Sequence, residues 1–165
     1  MNKELYLDGE WFIGGEIFLL GYAYSTKKHG FLYGSRLTKK NFLKLLSPGI
    51  SIFFYGPDIG ILEKHFNIRL RTRYLCINLL RVFRDHIRST SYRLADIEKK
   101  FGIKRERVEY KKSIFDIYGD WMNPQIRKRV LQYNREDVIN LVKLKKIVFR
   151  KYNIRKSYLS EIRLQ

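Results

Sequence analysis

Glu4-Leu5-Tyr6-Leu7-Asp8-Gly9-Glu10-Trp11, then a Gly14-Gly15 break, then Ile17-Phe18-Leu19-Leu20-Gly21-Tyr22-Ala23, is the stretch from which the fold is read. An alternating segment, a turn signal and an apolar run in that order predict a β-hairpin. Gly21, inside the second strand, predicts a bulge or a close backbone approach. Asp8 and Glu10 are two residues apart, so on a strand both carboxylates leave the same face. Such a pair repels itself unless a cation lies between the two or one takes up a proton. A hard divalent ion, Mg²⁺ or Mn²⁺, answers that requirement because both prefer carboxylate oxygens. An isolated Asp-x-Glu on a solvated strand face also arises by chance, so the pair gains meaning only from what surrounds it.

The surroundings are strongly basic. The 165 residues carry 34 Lys and Arg against 16 Asp and Glu, a net charge of +18. A body of that charge attracts polyanions, above all nucleic acid. Ribosome-associated proteins, membrane-surface binders and thermophile proteins are basic as well, and charge alone does not say whether a base sequence is read. The basic residues are spread along the chain, as in Arg69/Arg71/Arg73, Arg81/Arg84/Arg88 and Arg127-Lys128-Arg129, with no block that reads as a disordered tail. With 45% apolar and 15% aromatic residues, one well-cored domain is expected over residues 1–151, followed by a basic tail at 152–165. The single cysteine, Cys76, excludes an internal disulfide and suits a reducing compartment. Neither a run of about 20 apolar residues nor a signal-peptide core is present. A soluble cytoplasmic protein with no membrane partner is therefore expected, located in the host cell if the protein is viral.

Further along, Lys27-Lys28-His29-Gly30 is read as a second turn leading to a short strand at 31–33. Thr38 is expected to cap a helix over 39–46, stopped by Ser47-Pro48-Gly49. Residues 50–54 read as a buried strand and 58–66 as a helix. The stretch 75–83 reads as a short strand followed by a helix. Ser91 is expected to cap an amphipathic segment ending at Phe101-Gly102. Pro124 is placed near the start of one helix reaching about Tyr133, and a separate long helix is placed over 135–151. Three strands joined by tight turns and then a strand–helix alternation predict an α/β domain.

Two further acids stand at structural junctions. Asp58 follows the strand at 50–54 and opens the next helix, a position that also suits a helix cap. Tyr133 and Asp137, four apart, share one helix face, as an ordinary Tyr beside a solvated Asp also does. Taken together, Asp8-x-Glu10 on the first strand, Asp58 after the fourth and Tyr133-x-x-x-Asp137 on a late helix resemble the DEDD exonuclease superfamily in its tyrosine-bearing branch. Leu94-Ala95-Asp96-Ile97-Glu98-Lys99-Lys100-Phe101-Gly102-Ile103 is similar to that family's middle helix, and Leu131-Gln132-Tyr133-Asn134-Arg135-Glu136-Asp137-Val138 to its closing motif. The resemblance spans residues 4–150. Three departures stand out: Gly9 where an apolar residue is usual, Trp11 where a small hydroxyl residue is frequent, and a shortened second motif at Tyr55-Gly56-Pro57-Asp58.

The resemblance implies a ribonuclease H-like fold with a mixed five-stranded sheet flanked by helices. It also implies a metal-dependent 3′–5′ exonuclease. Asp8, Glu10, Asp58 and Asp137 would hold two Mg²⁺ or Mn²⁺ ions about 4 Å apart around a scissile phosphate. Tyr133 would orient the attacking water. Trp11, Arg81, Arg84 and Arg88 are the candidates for stacking on bases and pairing with phosphates along a single strand, with DNA favoured over RNA. Proofreading on this reading needs a separate replication or repair partner, and oligomeric state is left open. Two alternatives stand beside it: a nucleic-acid binder that has lost turnover, and a structure-selective endonuclease on the same fold. His29, His65, His86 and Cys76 lack zinc-like spacing, and the glycines lack the context of a nucleotide cradle. Because binding to phosphates releases counterions, affinity for an oligonucleotide is expected to fall by orders of magnitude between about 50 and 200 mM salt. Fluorescence anisotropy titrations across that range measure it.

Overall fold

Alternation along the first strand, β1 (Glu4–Phe12), sorts its side chains onto two faces, and the rest of the molecule is built around that sorting. The computed structural model describes residues 3–106 and 113–163. β1 is the central strand of a five-stranded sheet. It is flanked by β2 (Glu16–Ala23) and then β3 (His29–Tyr33) on one side, and by β4 (Ser51–Phe54) and then β5 (Leu75–Asn78) on the other. The β1–β2 and β2–β3 pairs are antiparallel, and the β1–β4 and β4–β5 pairs are parallel. This is the expected mixed sheet. Gly14 and Gly15 turn the first hairpin at φ values of 105° and 79°, a region open to glycine at little cost.

Leu5 and Leu7 face a core shared with Phe42, Ile52, Phe54, Ile59, Leu62 and Phe66. Two helices supply the outer part of that core, α1 (Lys39–Leu43) and α2 (Asp58–Phe66). Tyr6, between the leucines, faces the opposite core with Phe53, Ile77, Phe83, Val138, Leu141 and Val148. The helices on that side are α3 (Leu79–His86), α4 (Leu94–Lys100) and the long α6 (Arg127–Lys151). Asp8 and Glu10 continue the parity of Tyr6, so they emerge on the α6 side. A third apolar cluster, Phe18, Leu19, Ile117, Trp121 and Val130, seats α5 (Ile114–Met122) over the first hairpin. Finally α7 (Lys156–Arg163) packs on β5 and buries Leu159. No helix among the described residues is long and apolar enough to cross a membrane.

Several local expectations change. β3 begins at His29 because Ser25–Lys28 makes the turn: Tyr24 N–H donates to Lys28 O at 2.8 Å, and Ser25 Oγ accepts from Lys28 N–H at 3.0 Å. Thr38 caps α1 as read, accepting from Asn41 N–H at 3.2 Å, but the helix ends at Leu43. After it the chain tightens into three-residue turns such as Leu45 N–H to Phe42 O at 2.9 Å. Ser91 is not the cap of α4. Arg93 holds that position, and the Ser91 hydroxyl donates to Asp96 Oδ2 at 2.6 Å. The two late helices are one, since nothing in Tyr133-Asn134-Arg135 breaks a helix, and α6 starts three residues beyond Pro124. α5, which is not among the expected elements, opens on a reciprocal capping box of Ser113 and Asp116.

Gly21 is explained by a close approach. A Cβ there would lie 1.9 Å from Asn134 Oδ1 and 3.2 Å from Val138 Cγ1, both on α6. The one register irregularity of the hairpin lies instead between Glu10 and Trp11. Since Asn134 is fully buried, Gly21→Ala is expected to destabilise the protein by about 1–3 kcal/mol, read from urea denaturation midpoints.

Candidate metal centre

The two carboxylates of β1 meet a third brought by α6. Asp8, Glu10 and Asp137 each offer an oxygen, and those oxygens lie within 4.8 Å of one another. Asp137 is 4% exposed, while Asp8 and Glu10 keep part of their surface open. Asp58 lies outside that group and next to it, bound to the strand between Asp8 and Glu10. It sits at the first turn of α2, 2% exposed, and its Oδ1 accepts the Gly9 N–H at 2.9 Å. Pro57 is the capping residue of α2 and makes no side-chain cap bond, and the Asp58 carboxylate interacts with its own backbone N–H as well as with that of Gly9. A Cβ on Gly9 would stand 3.3 Å from Asp58 Oδ1, which gives the departure at that position a steric reason.

Two groups oppose the negative charge. Asn134 Nδ2 donates to Asp8 Oδ2 at 2.7 Å and to Asp8 O at 3.1 Å, and lies 3.4 Å from Glu10 Oε1. Its Oδ1 is buried without a hydrogen-bond partner against Gly21. Reversing the amide would aim oxygen at oxygen, so the acid pair dictates its orientation. The Arg105 guanidinium, which follows α4, ion-pairs with both Glu98 and Asp137 and lies 5.4 Å from the centre of the Tyr133 ring. Glu98 and Asn134 enter the sequence reading only within the quoted motifs, without a role, and Arg105 does not enter it. No periodicity marks them, because each matters only through what the chain's return places beside it.

The result is a pocket that disfavours its own charges. Burial, with the negative charge of Asp137, Glu10 and Asp58, raises Asp8 well above the usual carboxylate range. Burial and Asp137 push Glu10 up to about 8. Asp58 goes up to about 7, burial outweighing its bond from Gly9. For Asp137 burial again leads, Arg105 opposes it, and the net is about 7. Tyr133, hydrogen-bonded to Asp137, is pushed above its usual value by burial and then by Asp137, Glu10 and Asp8. Its hydroxyl therefore keeps its proton and acts as a donor. Hard oxygen donors that converge, are protected from water and repel one another fit a divalent cation.

The other sequence candidates lie elsewhere. Trp11 is half-buried and packs on the α2-side core. Arg81 lines a cavity with Gly56, Pro57 and Asn78 beyond Asp58. The Arg84 guanidinium lies 5.8 Å from the centre of the Tyr92 ring, and the Arg88 carbonyl accepts from Lys100 Nζ at 2.7 Å. None of these residues enters the carboxylate group. Asn78, at the end of β5, ties the second-motif loop down by accepting from Gly56 N–H at 3.0 Å and donating to Gly56 O at 2.9 Å.

The RNase_H superfamily profile matches residues 5–149. No curated protein matches the chain at the level of sequence. Among solved structures, Brucella melitensis NrnC is similar with a TM-score of 0.74 and 16% identity, covering 98% of this chain and 80% of its own. A second structure of that protein holds bound Mg²⁺. The Aedes aegypti Nibbler EXO domain matches at TM-score 0.71 and 17% identity over 98% of this chain and 84% of that one. Escherichia coli RNase D, an exoribonuclease involved in structured RNA processing, matches at 0.71 and 16% identity, over 98% of this chain and 44% of its own.

In the metal-free protein the raised carboxylates bind more protons folded than unfolded, where their values are about 4. Folding stability is therefore highest below about pH 4 on this account and declines as pH rises through about 7–8. In EDTA the melting temperature is expected to fall between pH 5 and 8, and added Mn²⁺ is expected to restore more of it at pH 8 than at pH 5. Differential scanning fluorimetry across that range checks both.

Proposed function

The chain belongs to the RNase_H superfamily, and from that footing we propose that it is a metal-dependent exonuclease that removes nucleotides from the 3′ end of a single strand. The observation that carries this reading is the convergence of Asp8, Glu10 and Asp137 oxygens within 4.8 Å, with Asp58 alongside. It is supported by the net charge of +18, which suits a polyanionic substrate. Likeness in fold to an EXO domain, to an exoribonuclease and to a structure holding Mg²⁺ points the same way. The four carboxylates are proposed to hold two ions, Mg²⁺ or Mn²⁺. Bound there, such ions supply a Lewis acid for the phosphate and for the attacking water.

Each protein group then has a separate task. Asp8, Glu10 and Asp137, whose oxygens converge, would hold the ions together with Asp58. Tyr133, its proton retained, donates through its hydroxyl and orients the water on the Asp137 side. Asn134 locks Asp8 so that the carboxylate does not rotate when a phosphate arrives. In the reaction the water oxygen bonds to phosphorus and the P–O3′ bond breaks. A 5′-mononucleotide departs, and the new 3′ oxygen takes a proton. Arg81 is the one of the three sequence-predicted arginines that shares a cavity with Gly56 and Pro57 of the second-motif loop, and it is proposed to meet the phosphates that follow. Single-stranded DNA is the proposed substrate, with RNA as the competitor that likeness to an exoribonuclease recommends.

Asp8→Ala and Asp137→Ala are each expected to lower nucleotide release to background while leaving oligonucleotide affinity within about threefold. Tyr133→Phe is expected to slow release by only about 10- to 100-fold, since it removes one positioning donor. Labelled linear and circular single strands of DNA and RNA, incubated with Mn²⁺, read all of this. Cleavage of circles would assign an endonuclease instead, and tight salt-sensitive binding without release would assign a binder.

A further inference from the structure

Glu98 has no place among the proposed metal ligands, yet it is 1% exposed and fully partnered. Its Oε1 accepts from Arg105 Nη2 at 2.8 Å and from Asn140 Nδ2 at 3.2 Å, and its Oε2 takes Arg105 Nε. Both groups that grip it come from elsewhere in the chain: Asn140, 2% exposed on α6, and Arg105, 11% exposed, beyond the end of α4. The same nitrogen, Nη2, also ion-pairs with Asp137 Oδ1, and the guanidinium lies over the Tyr133 ring. One rigid cation is thus anchored by an acid outside the carboxylate group and pressed onto an acid inside it. Arginine suits that task, because its planar fork grips a carboxylate with two parallel bonds and still has donors to spare.

We propose that Arg105 is a positioning residue of the metal centre, a resident monovalent counter-ion. Held by Glu98 and Asn140, it keeps Asp137 oriented for ligation while no divalent ion is bound. It also weakens divalent binding, since its charge competes for the same carboxylate. The inference rests on the metal-dependent reading above and deepens it. A simple latch, tying residues 101–106 to α6, predicts something different: loss of stability alike with and without metal, and an unchanged affinity for the ion. A counter-ion predicts loss concentrated in the metal-free protein and a gain in affinity, because removing a positive charge near a divalent cation removes repulsion.

The test is Mn²⁺ titration by isothermal calorimetry, with melting temperatures in EDTA and in saturating Mn²⁺, on the full chain. The variants are Arg105→Lys, Arg105→Met and the double variant Glu98→Gln with Arg105→Met. The double variant removes both halves of the buried pair and leaves no charge stranded, which keeps the fold measurable if Arg105→Met alone does not fold. The double variant is expected to bind Mn²⁺ about tenfold tighter than wild type, and to melt lower than wild type in EDTA but level with it in Mn²⁺. Arg105→Lys, with its charge kept, is expected within about threefold of wild-type affinity. Unchanged or weaker Mn²⁺ binding by the double variant, or an equal melting deficit in both conditions, would overturn the inference while the metal-dependent reading stands. A wild-type protein that binds no Mn²⁺ would overturn that reading, and this inference with it.

Discussion

Crowding of like charge at one end of β1 is the constraint to which the surrounding structure answers. Three carboxylate oxygens within 4.8 Å, and a fourth acid 2.9 Å from the neighbouring backbone N–H, store repulsion that an ordinary core would expel. Each close neighbour relieves part of it. Asn134 turns its donors to Asp8, Gly9 offers its N–H to Asp58, and Arg105 supplies a full charge to Asp137. Even the absence of a side chain at Gly21 belongs to the same arrangement, since any Cβ there would evict the Asn134 amide.

Such a site survives because rigid elements hold it from every direction. β1 is paired with β4 as far as Tyr6 and with β2 along its length, which sets Asp8 against Gly21 and Glu10 against Leu19. α6 packs along β1 and β2 through Val138, Leu141 and Val148, so Asn134 and Asp137 on that same helix face are delivered at fixed height. Near the opposite end of β1, Lys145 of α6 donates to Glu4 at 2.6 Å and sits 5.0 Å from the Phe53 ring centre, which fixes the helix against sliding along the strand. Apolar packing thus supplies the free energy that holds the acids together against their mutual repulsion.

Charge acts on two length scales. Over the whole surface the excess of 34 basic over 16 acidic residues attracts polyanions from a distance. Within the pocket the sign is reversed, and a polyanion can approach the carboxylates only if cations stand between. Arg81 and the second-motif loop line one cavity at the carboxyl ends of β4 and β5. Arg84, at the Tyr92 ring, and Arg88 lie apart from the acids, although the three arginines look equivalent in a helical pattern.

Much of this was legible in the residues themselves. Period-two alternation and Gly14-Gly15 specify the hairpin, parity places Asp8 and Glu10 on one face, and a four-residue spacing places Tyr133 over Asp137, because strand and helix geometry are properties of local chain. The capping box of Ser113 and Asp116 is an equally local signal for α5. What the chain order could not reveal is which distant groups would stand beside those acids. Asn134 against Asp8, Asp58 at Gly9, and the Asn140–Glu98–Arg105 grip on Asp137 join residues as far as 126 positions apart. Hydrogen bonds and ion pairs act through space over a few ångströms, so their partners were chosen only when the sheet and α6 closed together.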